Sequence, residues 1–358
     1  MPLTRRHLLH TAATSLAATA LPSWAAETKS PLRCGQIGTG HAHAAGKMEA
    51  MRKLTNLWEV VGLAAEANDA GETAADAQKA PYAGLKLMPE ADLLASPDLK
   101  VIAVETRIEN SCATALRCLQ AGKHIHLDKP GALEHAEFKT MRQLAEQRGL
   151  TVQMGYMLRY NPAFELLFQA VQEGWLGEIT EIDAAMGKLA DKSTRGQIGK
   201  LAGGGMFELA CHVMDAVVTL LGRPQSVQSF STPTQKDGVQ DNQLAVLAYP
   251  RATATIRCNH ADPFGGPRRR FNVTGTEGTF EIVPLESGKV NLSLTRARGS
   301  YKKGTQTIQL TVPKGRYDRE FMDLAQVVRG EKALAWDATH DITVHETVLK
   351  AAGVRKEA

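Results

Sequence analysis

The sequence predicts an α/β protein: a doubly wound parallel sheet first, then an α+β domain built on a larger antiparallel sheet. Three observations carry this. Short apolar runs alternate with helical stretches across residues 31–154, and a Gly-x-Gly turn closes the first run. From about residue 180 the runs lie closer together, with turn glycines between them.

The runs Arg33–Ile37, Glu59–Leu63, Val101–Val104, His124–Leu127 and Thr151–Met154 are apolar enough for strands covered on both faces, as a parallel sheet requires. Helical stretches separate them at Ala44–Leu54, Asn110–Ala121 and Leu133–Arg148. The last two are followed by Gly122 and Gly149, where a left-handed C-terminal cap is favoured. The later runs, Gln243–Tyr249, Ala252–Cys258, Phe271–Thr274, Gly278–Val283, Val290–Leu294 and Thr305–Val312, read as antiparallel strands. Helical patterning returns at Tyr317–Arg329 and His340–Ala352. The expected division is 1–25, 31–154, 155–325 and a helical segment 326–358.

Residues 1–25 are set apart as an export signal. Thr4-Arg5-Arg6-His7-Leu8-Leu9 carries a twin-arginine pair. A weakly apolar run from Leu16 to Leu21 and a small-residue cleavage site, Ser23-Trp24-Ala25, follow it. This predicts a periplasmic or otherwise exported protein that leaves the cytoplasm already folded. The apolar stretch is too short to span a bilayer, and no later run is long enough, so no membrane span is expected. A net charge of +4, part of it in the signal, gives no footprint for nucleic acid. Arg268-Arg269-Arg270 follows a Gly-Gly-Pro turn and reads either as a solvated strand edge or as an anion contact. Five cysteines at irregular spacing, Cys34, Cys112, Cys118, Cys211 and Cys258, predict free buried thiols rather than a disulfide framework.

The first strand runs straight into Gly38-Thr39-Gly40-His41-Ala42-His43 and then a helix. Glycines there permit a tight turn and close approach of the backbone to a diphosphate lying on the helix N-terminus, as in a Rossmann domain. The third glycine position of that fingerprint holds His43. His41 and His43 read equally as helix-start residues or as pocket-facing ones. The acidic residue expected after the second strand is either absent, with Ala65 in its place, or is Glu66, which would hold ribose hydroxyls and favour NAD over NADP.

Two further segments are specific: Ala121-Gly122-Lys123-His124-Ile125-His126-Leu127-Asp128-Lys129-Pro130 and Gly203-Gly204-Gly205-Met206-Phe207-Glu208-Leu209-Ala210-Cys211-His212-Val213-Met214-Asp215. With the glycine turn and Gly155-Tyr156-Met157-Leu158-Arg159-Tyr160-Asn161-Pro162, they resemble the glucose–fructose oxidoreductase / inositol dehydrogenase (Gfo/Idh/MocA) family over essentially the whole chain after the signal. The resemblance implies an N-terminal Rossmann domain and a C-terminal α+β domain with a large open antiparallel sheet, which commonly packs against another subunit. A homo-oligomer, dimer or tetramer, is therefore expected.

It also implies catalytic roles. Lys129 matches the lysine of the family's Glu-Lys-Pro motif, with Asp128 in place of the usual Glu. His212 matches the active-site histidine, and Glu208 stands where Asp is usual. Independently of the resemblance, Glu208, His212 and Asp215 are spaced i, i+4, i+7 and would share one helix face. That spacing also suits hard metal ligands, but no further ligand is placed, and no metal is expected. His212 is the candidate base for a hydroxyl proton, and Lys129 the group that holds the oxygen. The cofactor-binding candidates are Gly38, Thr39, Gly40, His41, His43, Glu66 and Lys129. Those for substrate are Arg159, Tyr160, Asn161 and Asp215.

The expected function is NAD(P)-dependent oxidation of a hydroxyl on a sugar, sugar derivative or cyclitol, with the cofactor held tightly. Export away from a supply of free cofactor leaves a redox-neutral glycosidase, epimerase or lyase as the alternative. A non-catalytic, cofactor-bound sugar sensor is the alternative of another kind.

Overall fold

The computed structural model describes residues 29–354; the expected export signal at 1–25 lies outside them. The chain runs β1 (Leu32–Ile37), α1 (Ala44–Lys53), β2 (Trp58–Ala64), α2 (Ala70–Asp76), α3 (Glu90–Ala95), β3 (Val101–Val104), α4 (Ile108–Gln120), β4 (His124–Leu127), α5 (His135–Gln147) and β5 (Val152–Met154). These strands form one parallel sheet in the order β2-β1-β3-β4-β5. All four residues of β3 and the last four of β1 are buried, as expected for strands with helices on both faces. The order reverses between β1 and β3. The loops after those two strands therefore part and open a crevice at the carboxyl edge of the sheet.

A 3₁₀ turn at Met157–Tyr160 leads to α6 (Pro162–Gln172). Asn161 starts this helix by accepting the Ala163 N–H on its side chain, and Pro162 takes the first helical position, where its missing donor costs nothing. Then come β6 (Ile179–Ala185), α7 (Lys192–Ile198), α8 (Gly204–Glu208), α9 (Cys211–Leu221), β7 (Ser226–Pro233), β8 (Gln240–Ala248), β9 (Thr253–Asn259), β10 (Arg270–Gly275), β11 (Gly278–Ile282), β12 (Lys289–Leu294), β13 (Gly304–Gln309), α10 (Asp318–Val328) and α11 (Ala338–Ala351).

The second sheet has eight strands, β13-β12-β11-β10-β6-β9-β8-β7. It is mixed rather than antiparallel throughout. β6 and β9 pair in parallel, because the chain leaves β6 through α7–α9 and returns by the β7–β8 hairpin pointing the same way. Burial alternates residue by residue along β8, and α8, α9 and α11 cover the buried face.

The last helices do not form a separate segment, and the boundary expected at 325/326 falls inside α10. α10 packs against α1 of the first layer, and its Phe321 stands edge-on to Trp58 of β2 at 6.1 Å. α11 packs on α5 and α9 and so ties both sheets. Among the described residues no helix is long and apolar enough to cross a membrane. All five cysteines are free and buried.

Candidate active site

The glycine turn after β1 has the shape its residues require. Gly38 has φ +85°, and a Cβ on it would lie 2.9 Å from the Thr106 Cα. A Cβ on Gly40 would lie 2.3 Å from Oε1 of Glu66. Glu66, not Ala65, is thus the acidic residue brought to the turn. Its carboxylate accepts the Arg107 backbone N–H at 3.1 Å and the Asn110 amide at 2.6 Å. Burial raises its pKa, against those two bonds. The Thr39 hydroxyl is buried with no partner among the described residues, and no side chain caps α1 at His43. Two glycines with no room for a Cβ, an open helix start, an orphaned hydroxyl and an adjacent carboxylate fit a dinucleotide.

Lys129 follows β4 at the same edge of the sheet and is 1% exposed. Its ammonium donates to the Glu208 carbonyl at 2.7 Å and to Glu208 Oε1 at 2.9 Å, leaving one of three N–H donors over. Burial works against the charge, but Glu208 holds the Lys129 pKa above its ordinary value. Lys129 in turn pulls the Glu208 carboxyl down to about 2. His212 is also 1% exposed, and its Nδ1 has no partner among the described residues. Burial first, then the charges of Lys129 and His43, push its pKa well below the ordinary histidine value. The site therefore combines a fixed cation with a neutral imidazole.

Glu208, His212 and Asp215 do not share one helix face. α8 ends at Glu208 and α9 begins at Cys211, because the Leu209 and Ala210 N–H groups both turn back onto the Gly205 carbonyl, at 2.8 and 3.1 Å. Glu208 reaches Lys129, whereas Asp215 reaches Arg159.

Arg159 was expected at the substrate and is placed elsewhere. It is 2% exposed, and its guanidinium bonds both oxygens of Asp215, at 3.0 and 2.6 Å, and Asp341 at 2.7 Å. It is also sandwiched between the Tyr156 and Trp336 rings at 4.9 and 4.7 Å. Asp215 is held a second time by His340 at 3.0 Å. These residues clamp α9 from beneath. The Tyr160 hydroxyl donates to Asp323 at 3.1 Å. Tyr160 and Asn161 nonetheless line a cleft of about 300 Å³ with Lys314, Arg316 and Arg319.

Beneath the turn lies a buried polar cluster that sequence reasoning did not assemble. His43 Nδ1 is 3.1 Å and His41 Nδ1 3.4 Å from Asp128 Oδ2. Lys47 pairs with Glu320 of α10 and lies 3.2 Å from His126 Nε2. Glu105, at the end of β3, lies 3.3 Å from His126 Nδ1, and burial and then Asp128 raise its carboxyl to about 7. The Tyr317 ring stands 5.6 Å from His43, and His212 5.9 Å from it on another side. Lys47, four residues after His43 on the buried face of α1, was the available signal.

Two family models match the chain. One, described as the oxidoreductase family NAD-binding Rossmann fold, covers residues 32–156; the other, the GFO/IDH/MocA C-terminal domain, covers residues 164–281. Among curated relatives, the uncharacterized oxidoreductase YhhX of Escherichia coli is 28% identical over 202 residues. That match takes in 56% of this chain and 58% of YhhX, less than two thirds of its length. The scyllo-inositol 2-dehydrogenase (NADP(+)) IolW of Bacillus subtilis is 24% identical over 73% of this chain and 78% of its own. A solved structure of levoglucosan dehydrogenase with NADH and levoglucosan superposes with TM-score 0.77 at 19% identity, covering 90% of this chain and 97% of that one.

Proposed function

We propose that this chain, which belongs to the Gfo/Idh/MocA oxidoreductase family, oxidises a hydroxyl of a sugar, sugar derivative or cyclitol with a nicotinamide dinucleotide. The observation that carries the reading is the meeting of Lys129 and His212 beside the glycine turn. One brings an ammonium with a donor left over, the other a neutral imidazole with an unpaired nitrogen.

When bound, the dinucleotide supplies the hydride acceptor. The residues of the chain divide the remaining work. Gly38, Thr39 and Gly40 would hold its diphosphate, and Glu66, beside Gly40, would meet the ribose hydroxyls, which favours NAD over NADP. His212 receives the hydroxyl proton on its free nitrogen. Lys129 donates its remaining N–H to the same oxygen as charge develops there. Glu208 keeps Lys129 charged and aimed. Tyr160 and Asn161 would meet a substrate that extends into the cleft they line, which Lys129 and His212 do not line, whereas Arg159 and Asp215 act by fixing α9. The polyol-directed names of IolW and levoglucosan dehydrogenase support this substrate class.

Assay of the purified protein with NAD⁺ and NADP⁺ against cyclitols and sugars should show reduction of nicotinamide by its near-ultraviolet absorbance. Lys129→Ala and His212→Ala should each lower kcat/KM by about two to four orders of magnitude while circular dichroism is unchanged. Near-wild-type turnover in either variant removes that residue from the mechanism.

A further inference from the structure

We propose that His41, His43 and Asp128 form a binding site for a single late first-row divalent ion, zinc foremost. This departs from the sequence expectation, which placed no metal.

Geometry is the first support. One ligand atom from each of the three residues lies within 4.8 Å of the others. Asp128 Oδ2 is 3.1 Å from His43 Nδ1 and 3.4 Å from His41 Nδ1. A tetrahedral ion bonded at about 2.0–2.2 Å holds its nitrogen and oxygen ligands roughly 3.3–3.5 Å apart. The two separations to Asp128 are already close to that span, and the third, within 4.8 Å, has to close further as the ion binds. His41 Nδ1 would exchange the long 3.2 Å bond that it accepts from the His43 amide for the ion.

Charge is the second. The cations nearest the buried Asp128 are committed to other carboxylates, Lys129 to Glu208 and Lys47 to Glu320. A buried carboxylate with no ammonium of its own is costly, and a cation on Asp128 redresses it. Lys47 lies 3.8 Å from Asp128 Oδ2 but is engaged by Glu320.

The third is where the sequence departs from pattern. His43 occupies the position of a fingerprint glycine, and Asp128 that of the family's glutamate. These two departures, 85 residues apart, meet in one contact. Two imidazoles with one carboxylate suit zinc and its neighbours and leave a coordination position open. His43 is the most exposed of the three ligands, and its ring faces His212. The open position would take an oxygen from water or from a substrate hydroxyl.

Protein stripped with chelator, reloaded with excess zinc and desalted should carry one ion per chain by elemental analysis. Competition with a chromogenic chelator should show His43→Gln and Asp128→Asn each weakening binding by at least the roughly 10–100-fold that losing a supporting partner costs a metal site. Cobalt in place of zinc should give the strong visible absorption of a tetrahedral centre. His43 is half-buried at the rim, so His43→Gln separates ligation from folding, which circular dichroism monitors. Zinc washing off the wild type, or remaining equally on both variants, overturns the site. Binding is read without turnover, so it stands or falls apart from the oxidoreductase reading.

Discussion

At the scale of single residues, the site sets two groups held charged, Lys129 and Glu208, beside a histidine that burial holds neutral. His260 is another such histidine, outside the reacting atoms. It is 1% exposed, and burial brings its pKa down to about 4. Its ring fills the space that a side chain on Gly205 would take, 2.1 Å from the position of that Cβ, and so seats α8 and the Glu208 carbonyl that Lys129 grips. The folded pKa lies below the unfolded one. The contribution to stability is therefore complete above the ordinary histidine value and is lost as pH falls toward the folded value. Between pH 7 and pH 5 that loss is about 2 kcal/mol. Urea unfolding at the two pH values should show His260→Gln losing less stability than wild type by that amount; parallel losses would mean that His260 protonates freely in the fold. Lys129, His212 and Glu208 were legible because their spacings match a known pattern. The cluster around Asp128 was not, since Lys47, Glu105, His126 and Glu320 come from four separate elements and converge only through the fold.

At the scale of elements, the turn between β1 and α1 carries the tightest constraint. An alanine at Gly38 would be forced into left-handed backbone with its Cβ against the Thr106 backbone. Gly38→Ala should weaken dinucleotide binding at least tenfold by calorimetric titration, with the strain of roughly 1–3 kcal/mol appearing partly as a lower Tm. Unchanged affinity would show that the turn is not the cradle. This turn and the five parallel strands were readable because the strands, edge strand β2 apart, are mostly buried on both sides and so form continuous apolar runs. β6 was missed although it lies at the centre of the second sheet. Its pairing with β10 slips at Gly275, which spoils the alternation of Ile179–Ala185. β7 was missed as well, being an edge strand with one buried residue in eight. The break after Glu208 was invisible for another reason. Leu209 and Ala210 are good helix formers, yet both of their N–H groups turn back onto the Gly205 carbonyl, a pairing that no local pattern announces.

At the scale of the whole molecule, the first layer is completed from the far end of the chain. Glu320 on α10 supplies the carboxylate for the fully buried Lys47 on α1. Removing one partner of such a pair strands the other, at a cost of about 3–5 kcal/mol. Glu320→Ala should therefore unfold at markedly lower denaturant concentration, and adding Lys47→Met should recover part of the loss. If the double variant is no more stable than the single, the stranded ammonium is not the cause. The same pairing has a consequence for biosynthesis. The glycine turn, Lys47 and Lys129 all leave the ribosome early, but the partner of Lys47 lies 273 residues further on. At about 5–20 residues per second that is tens of seconds during which Lys47 of the nascent N-terminal layer lacks its carboxylate from α10. A chain cut short before α10 would lack that carboxylate permanently, so only a translation product carried through to its final helices closes around its own site.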